Sequence, residues 1–236
     1  MSSPQSSSSM LTVLMTAAAA ILVGGGVLWW NLQSGDGVAD AGPESVPDSR
    51  PDASPAESRS QPKRSVIGPE VSEEAFFRAA GTGELVTVER ALKQGMDPDV
   101  ADSGGQTPLM MAGFNGHLRV MRRLLDAGAE VNHRSQLNRT PLMVTASGPN
   151  LEAVRLLLAE GAEVDVRDNH EAWTALMIAA SEGQAEVIEA LLEAGADPTL
   201  KDDDGETAAD FAKDRGFAAC VEVLEQAEQD AAESRE

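Results

Sequence analysis

The sequence predicts an all-α fold, a solenoid of about five stacked helix–turn–helix units. Threonines fall at Thr107, Thr140, Thr174 and Thr207, spaced 33, 34 and 33 residues apart. Glycines fall at Gly95, Gly128, Gly161 and Gly195, spaced 33, 33 and 34 apart. Two unlike markers that share a period of this size signal stacked repeats. The text between the markers also returns: TPLMMAGFNGHLRVMRRLLDAGAEVN from Thr107, TPLMVTASGPNLEAVRLLLAEGAEVD from Thr140, and TALMIAASEGQAEVIEALLEAGADP from Thr174.

Residues 1–9 are a polar tail. Met10 to Trp30 then runs 21 residues without a charge. As a helix it would be about 32 Å long, against a hydrocarbon core of about 30 Å. Trp29 and Trp30 close it, where aromatic rings favour the lipid–water boundary. We expect a single transmembrane helix or signal anchor over residues 10–30. No Lys or Arg precedes the run, and it is long for the core of a cleaved signal peptide. Cleavage stays open, because ADAG at Ala39 to Gly42 offers small residues at suitable spacing. The first basic residue beyond the span is Arg50, so charge sets no orientation. A lone N-terminal span commonly acts as a signal anchor, which puts the remainder outside the cytoplasm.

Residues 31–70 hold six of the 12 prolines and few large apolar side chains. Such a segment cannot bury enough surface to offset the entropy of ordering, and reads as a disordered linker.

Within the repeats, Thr107 N-caps a helix and Pro108 takes its first position, where a missing N–H does no harm. Leu109 and Ala112 give the helix an apolar side, and Gly116 breaks it. Leu118, Val120, Met121, Leu124 and Leu125 follow at helical spacing. Gly128 suits the left-handed position after that second helix. Neither helix is long enough to be stable alone, so each unit must bury its apolar side against the next.

At the N-terminal end, Ser72 is a cap with Glu73 and Glu74 in the first turn, and Val71 and Phe76 have hydrophobic-staple spacing. The polar run from Glu225 to Glu236 closes the other end, as the outer face of a terminal repeat requires. The repeat domain is expected over 71–228, with an acidic tail at 229–236.

These motifs resemble the ankyrin repeat family from Val71 to about Glu228, through TPLM..A, G.LRVMRRLLDAGAEVN and their echoes. We expect a membrane-anchored or exported bacterial member. Met110, Met143 and Met177 replace the His that the family usually carries after TPL. Pro149 stands where the neighbouring units have Gly116 and Gly183, and one extra residue precedes Trp173, so the third unit's turn and the loop leading to Trp173 should differ in shape.

Composition limits the chemistry. Formal charge is −21, from 39 acidic and 18 basic residues. The balance argues against nucleic-acid binding, which needs clustered Lys and Arg. The balance suits a basic protein partner. One cysteine, Cys220, precludes an intramolecular disulfide, and its alignment with Val120 and Val187 places it in the core. His117 has the turn position where ankyrin repeats often carry a structural His. His133 and His170 lie in separate loops, and two imidazoles alone make no zinc site. KDDDGE, Lys201 to Glu206, lacks EF-hand spacing and reads as a solvated loop. No metal, cofactor or catalytic set is expected, and the protein is not read as an enzyme.

The resemblance implies that loop tips and the exposed side of each first helix form a concave binding surface. Carried over by position, it picks out Phe114, Asn115, Leu137, Arg139, His170, Trp173, Ser181, Glu182, Asp204 and Glu206, together with Gln106 and Ser147. Trp173 near an Arg has the composition of a binding hot spot. The expected function is a membrane-tethered, noncatalytic, monomeric module that binds a protein partner on this surface, attached to the bilayer through residues 10–30 and placed in the periplasm of a bacterial host. The alternative is a secreted soluble inhibitor or immunity-like factor that turns an acidic ankyrin surface on a basic target.

Overall fold

In the computed structural model, which describes residues 69–233, each repeat opens on the same hydrogen bond. Thr107 Oγ1 accepts from the Met110 N–H at 3.4 Å. Thr140 and Thr174 repeat it with Met143 and Met177, each at 3.3 Å. Thr207 does so with Asp210, whose carboxylate returns the contact to the Thr207 N–H at 3.0 Å. The threonine period is therefore a period of helix caps.

Among the described residues there are ten helices in five pairs. They are α1 Glu73–Thr82 and α2 Leu85–Lys93, α3 Pro108–Phe114 and α4 Leu118–Leu125, α5 Pro141–Ala146 and α6 Leu151–Ala159, α7 Ala175–Ser181 and α8 Ala185–Glu193, and α9 Ala208–Arg215 and α10 Ala218–Glu233. No strand occurs among the described residues. The expected span at residues 10–30 and the linker, apart from its last two residues, lie outside the described residues. Among those described, no helix is long and apolar enough to cross a membrane.

The first helices pack in series, α1 on α3, α3 on α5, α5 on α7 and α7 on α9. The second helices form a parallel series from α2 to α10, and each pair also packs on itself. The core lies between the two layers. Leu109, Leu142 and Leu176 fill it from the first layer, and Val120, Val154, Val187 and Cys220 from the second. Met110, Met143 and Met177 are buried to within 1% exposure, so the expected His position has become a core position.

The N-terminal cap follows the expectation. Ser72 Oγ accepts from the Ala75 N–H at 3.2 Å, and Val71 and Phe76 are both buried. The C-terminal end differs. The helix α10 passes through the boundary expected at residue 228 and continues to Glu233. Apart from Asp230, its last turns are Ala, Glu and Gln, which are strong helix formers, and Gln226 donates to Asp230 one turn on at 2.8 Å.

Candidate functional site: the loop fingers and the inner face

Each pair of repeats is joined by a finger that ends at the capping threonine. The base of each finger is closed by one backbone hydrogen bond: Asp102 to Gln106, Ser135 to Arg139, Asp168 to Trp173, and Asp202 to Glu206, at 2.9–3.0 Å. A side chain at the base then holds the turn from inside. Asp102 Oδ1 accepts from Gly104 and Gln106, and Asp202 Oδ1 from Asp204 and Glu206. Ser135 Oγ accepts from Arg139. Short polar side chains that bond to nearby backbone favour this geometry.

Neighbouring fingers are tied tip to tip. The Gln136 N–H donates to the Gly104 carbonyl, Asn169 to Leu137, and Asp203 to Glu171, at 2.9–3.1 Å. A second tie runs lower down. Asp99 accepts from the Glu130 N–H, Asn132 from Glu163, and Asp165 from Asp197. These acceptors recur every 33 residues. Partial burial pushes the Asp99 and Asp165 carboxyls up from the usual carboxylate range. Burial, then the nearby carboxylates Asp202, Asp214, Asp210 and Asp204, pushes Glu206 up as well.

The finger from Asp168 to Trp173 carries the extra residue. Asp168 Oδ1 accepts from His170, Glu171 and Trp173 at 3.1–3.2 Å. The turn is made by Ala172 at φ 61°, in the left-handed region that Gly105 and Gly205 occupy at the same place in their own fingers. An alanine there is strained. The extra length carries Trp173 across to α9, where its ring meets Phe211 edge-on with centroids 4.8 Å apart. Its indole N–H is buried and finds no acceptor.

Three positions of the candidate surface are engaged within the fold itself. Ser181 is only 2% exposed, and its hydroxyl donates to the Ile178 carbonyl. It ends a helix whose seven residues are all buried, because α7 is small-sided and lies between α5 and α9. Trp173 is half-buried on Phe211 and is not a free aromatic. Arg139 is 29% exposed and held by Asp168, whose side chain is 1% exposed. Leu137 is 47% exposed at a fingertip, and Asn115, His170, Glu182 and Asp204 are exposed. Phe114 and Glu206 are half-buried.

A further set escaped the sequence reading. Met111, Val144, Ile178 and Phe211 each lie four residues after a capping threonine, on successive first helices. Met111 and Val144 are partly exposed, whereas Ile178 and Phe211 are 8% exposed. The shared offset from Thr was visible in the sequence as a signal, but exposure was not.

His133 Nε2 lies 3.2 Å from the Gly105 carbonyl, in a tie between fingers. His170 is in a different finger, and no group of metal-binding side chains occurs among the described residues. Burial raises the Cys220 thiol above its usual range, which suits a packing residue and not a nucleophile.

The family model described as ankyrin repeats (3 copies) matches residues 63–135, 115–202 and 142–233, which together span most of the chain. No curated protein matches it.

Proposed function

The chain belongs to the ankyrin repeat family, whose repeats serve as protein–protein interaction modules, and from this premise we propose that its inner face and fingertips hold one protein partner. The observation that carries the reading is the partly exposed apolar pair Met111 and Val144 on adjacent helices, with Phe114 beside them in sequence and Leu137 standing out from a fingertip. Apolar side chains set in a polar rim are what a binding core requires. Asn115 and Glu182 supply polar groups at the ends of first helices.

We further propose that residues 10–30 anchor the module in a membrane, with the repeats held off the bilayer by residues 31–70 and lying outside the cytoplasm. The uncharged 21-residue run and the proline-rich segment after it support the anchor and the spacer, and the placement outside the cytoplasm follows only the common behaviour of a lone N-terminal span. The net charge of −21 supports a partner with a basic surface. The alternative reading is a secreted soluble inhibitor or immunity-like factor, released by cleavage near Ala41, whose acidic ankyrin surface blocks a basic target.

The test is affinity capture with the full chain from detergent-solubilised membranes, followed by Leu137→Asp and Val144→Asp in the recovered complex. Loss of at least tenfold in affinity is expected for each. Unchanged affinity in both variants overturns the inner-face reading. A soluble mature chain beginning near Gly42 overturns the anchor and leaves the binding face in place.

A further inference from the structure

The second helices form one layer, and its charge runs in one direction. Within the helix spans, α2 carries a net +1 and α4 a net +3, the latter from Arg119, Arg122 and Arg123. Helix α6 is neutral, with Arg155 3.9 Å from Glu152. Helix α8 carries −3, from Glu186, Glu189 and Glu193, and α10 carries −5. One row of equivalent repeat positions shows the change of sign: Arg122 and Arg155 are followed by Glu189 and Glu222. All four are exposed.

Among the described residues, Arg119, Arg122 and Arg123 meet no carboxylate at ion-pair distance, and Glu186, Glu189 and Glu193 meet no cation. Helix dipoles account for Arg122 and Arg123 in the last turn of α4 and for Glu186 in the first turn of α8. Arg119 in the first turn of α4 and Glu193 in the last turn of α8 oppose the dipole. Like charges three and four residues apart also repel along each helix. Both helices therefore carry a local cost that a surface of opposite sign removes.

We propose that the second-helix layer docks a second copy of this chain, with α4 of each copy on α8 of the other. Charge complementarity argues for that occupant, because one face offers both the patch and its counterpart. A two-fold axis along α6 reverses the order of the helices in the facing copy and makes the contact twice. Arg119 and Glu186 hold the same place in their repeats, 67 residues apart, as do Arg122 and Glu189. The axis therefore sets each Arg opposite a Glu. The net charge of −21 repels two copies at long range and keeps the dimer weak, whereas the paired patches meet within the screening length of about 8 Å. A weak dimer thus takes the place of the expected monomer. The layer lies across the core from the inner face, so the assignment goes beyond the inner-face reading and stands without it.

The experiment is sedimentation equilibrium of the full chain in a density-matched non-ionic detergent. The parent chain is expected to dimerise with a dissociation constant on the order of 0.1 mM. Arg119→Glu with Arg122→Glu makes both contacts acid on acid, and Glu186→Arg with Glu189→Arg makes both base on base. Each double variant alone should associate at least about tenfold more weakly. An equimolar mixture of the two should recover the parent's affinity as a heterodimer. Circular dichroism of each variant should match the parent, which separates lost contact from lost folding. A monomeric parent overturns the proposal, and if its α4 amides then shift with phosphatidylglycerol bicelles, the basic half serves a lipid surface instead. A dimer that survives either swap, or a mixture of folded variants that stays monomeric, overturns it too.

Discussion

Arg139 Nε lies 3.2 Å from Asp168 Oδ2, so the base of one finger is clamped by the neck of the finger before it. The other oxygen of the same carboxylate accepts three backbone N–H groups. Asp168 is therefore a buried anion whose acceptors are occupied from two repeats at once, and Arg139 is part of the scaffold that presents the fingertips.

Removing this clamp should be costly. In Arg139→Ala the buried Oδ2 loses its charged donor, a loss of about 1–3 kcal/mol. The pair Arg134–Glu163 is more exposed, at 41% and 55%, and Arg134→Ala should cost no more than about 1 kcal/mol. Urea denaturation of the two variants should separate them in that order. A smaller loss for Arg139→Ala than for Arg134→Ala contradicts the clamp.

Ala172→Gly should stabilise the protein. Alanine at φ 61° costs about 1–2 kcal/mol, and glycine gives part of that back through its freer unfolded chain. The net expectation is a gain of about 0.5–1 kcal/mol in urea, with the Trp173 emission maximum unchanged.

Trp173→Phe should be nearly neutral, within about 1 kcal/mol. The variant loses part of the contact with Phe211 but also removes a buried N–H that has no acceptor. Trp173→Ala loses the ring contact altogether and should destabilise by about 2–3 kcal/mol. Thermal unfolding of the pair distinguishes a packing role from a binding role, because a free surface Trp would tolerate both changes.

The pH dependence follows from three raised carboxyls, Asp99, Asp165 and Glu206, with burial as the first cause in each. A raised folded value means that the folded chain holds more protons than the unfolded one between the two values. Stability contributed by these groups is then greatest below their unfolded values and falls as pH rises through the folded ones. Urea midpoints should therefore decline from the mildly acidic side of that window towards neutrality. Asp165→Asn keeps the acceptor for the Asp197 N–H, as Asn132 does for Glu163 in the preceding repeat, and should flatten the decline. A midpoint that rises with pH over the same range, unaltered in Asp165→Asn, refutes the assignment.

Much of this architecture was legible because it is local. A threonine ahead of a small or apolar helical run specifies a cap, with proline at the next position in two of the four, and all four threonines act as caps. Cys220 was placed in the core by its register with Val120 and Val187, and it is 1% exposed. The candidate surface was less legible. Position in the repeat assigned Ser181 to the same class as Phe114 and Ser147, yet neighbouring helices bury it while the other two stay half-exposed. Arg139 and Trp173 were read as side chains free to meet a partner, and each is engaged by a residue about 30 to 40 positions away in the chain.

By itself the sequence determined the repeat length, the helix pairs, the caps and the side of each helix that turns inward, because each depends on residues within one or two turns. Tertiary structure alone decided which outward positions remain free. That outcome depends on what the next repeat places against them: Asp168 under Arg139 and Phe211 under Trp173. Burial is a property of neighbours in space, and a stacked repeat sets those neighbours one period away.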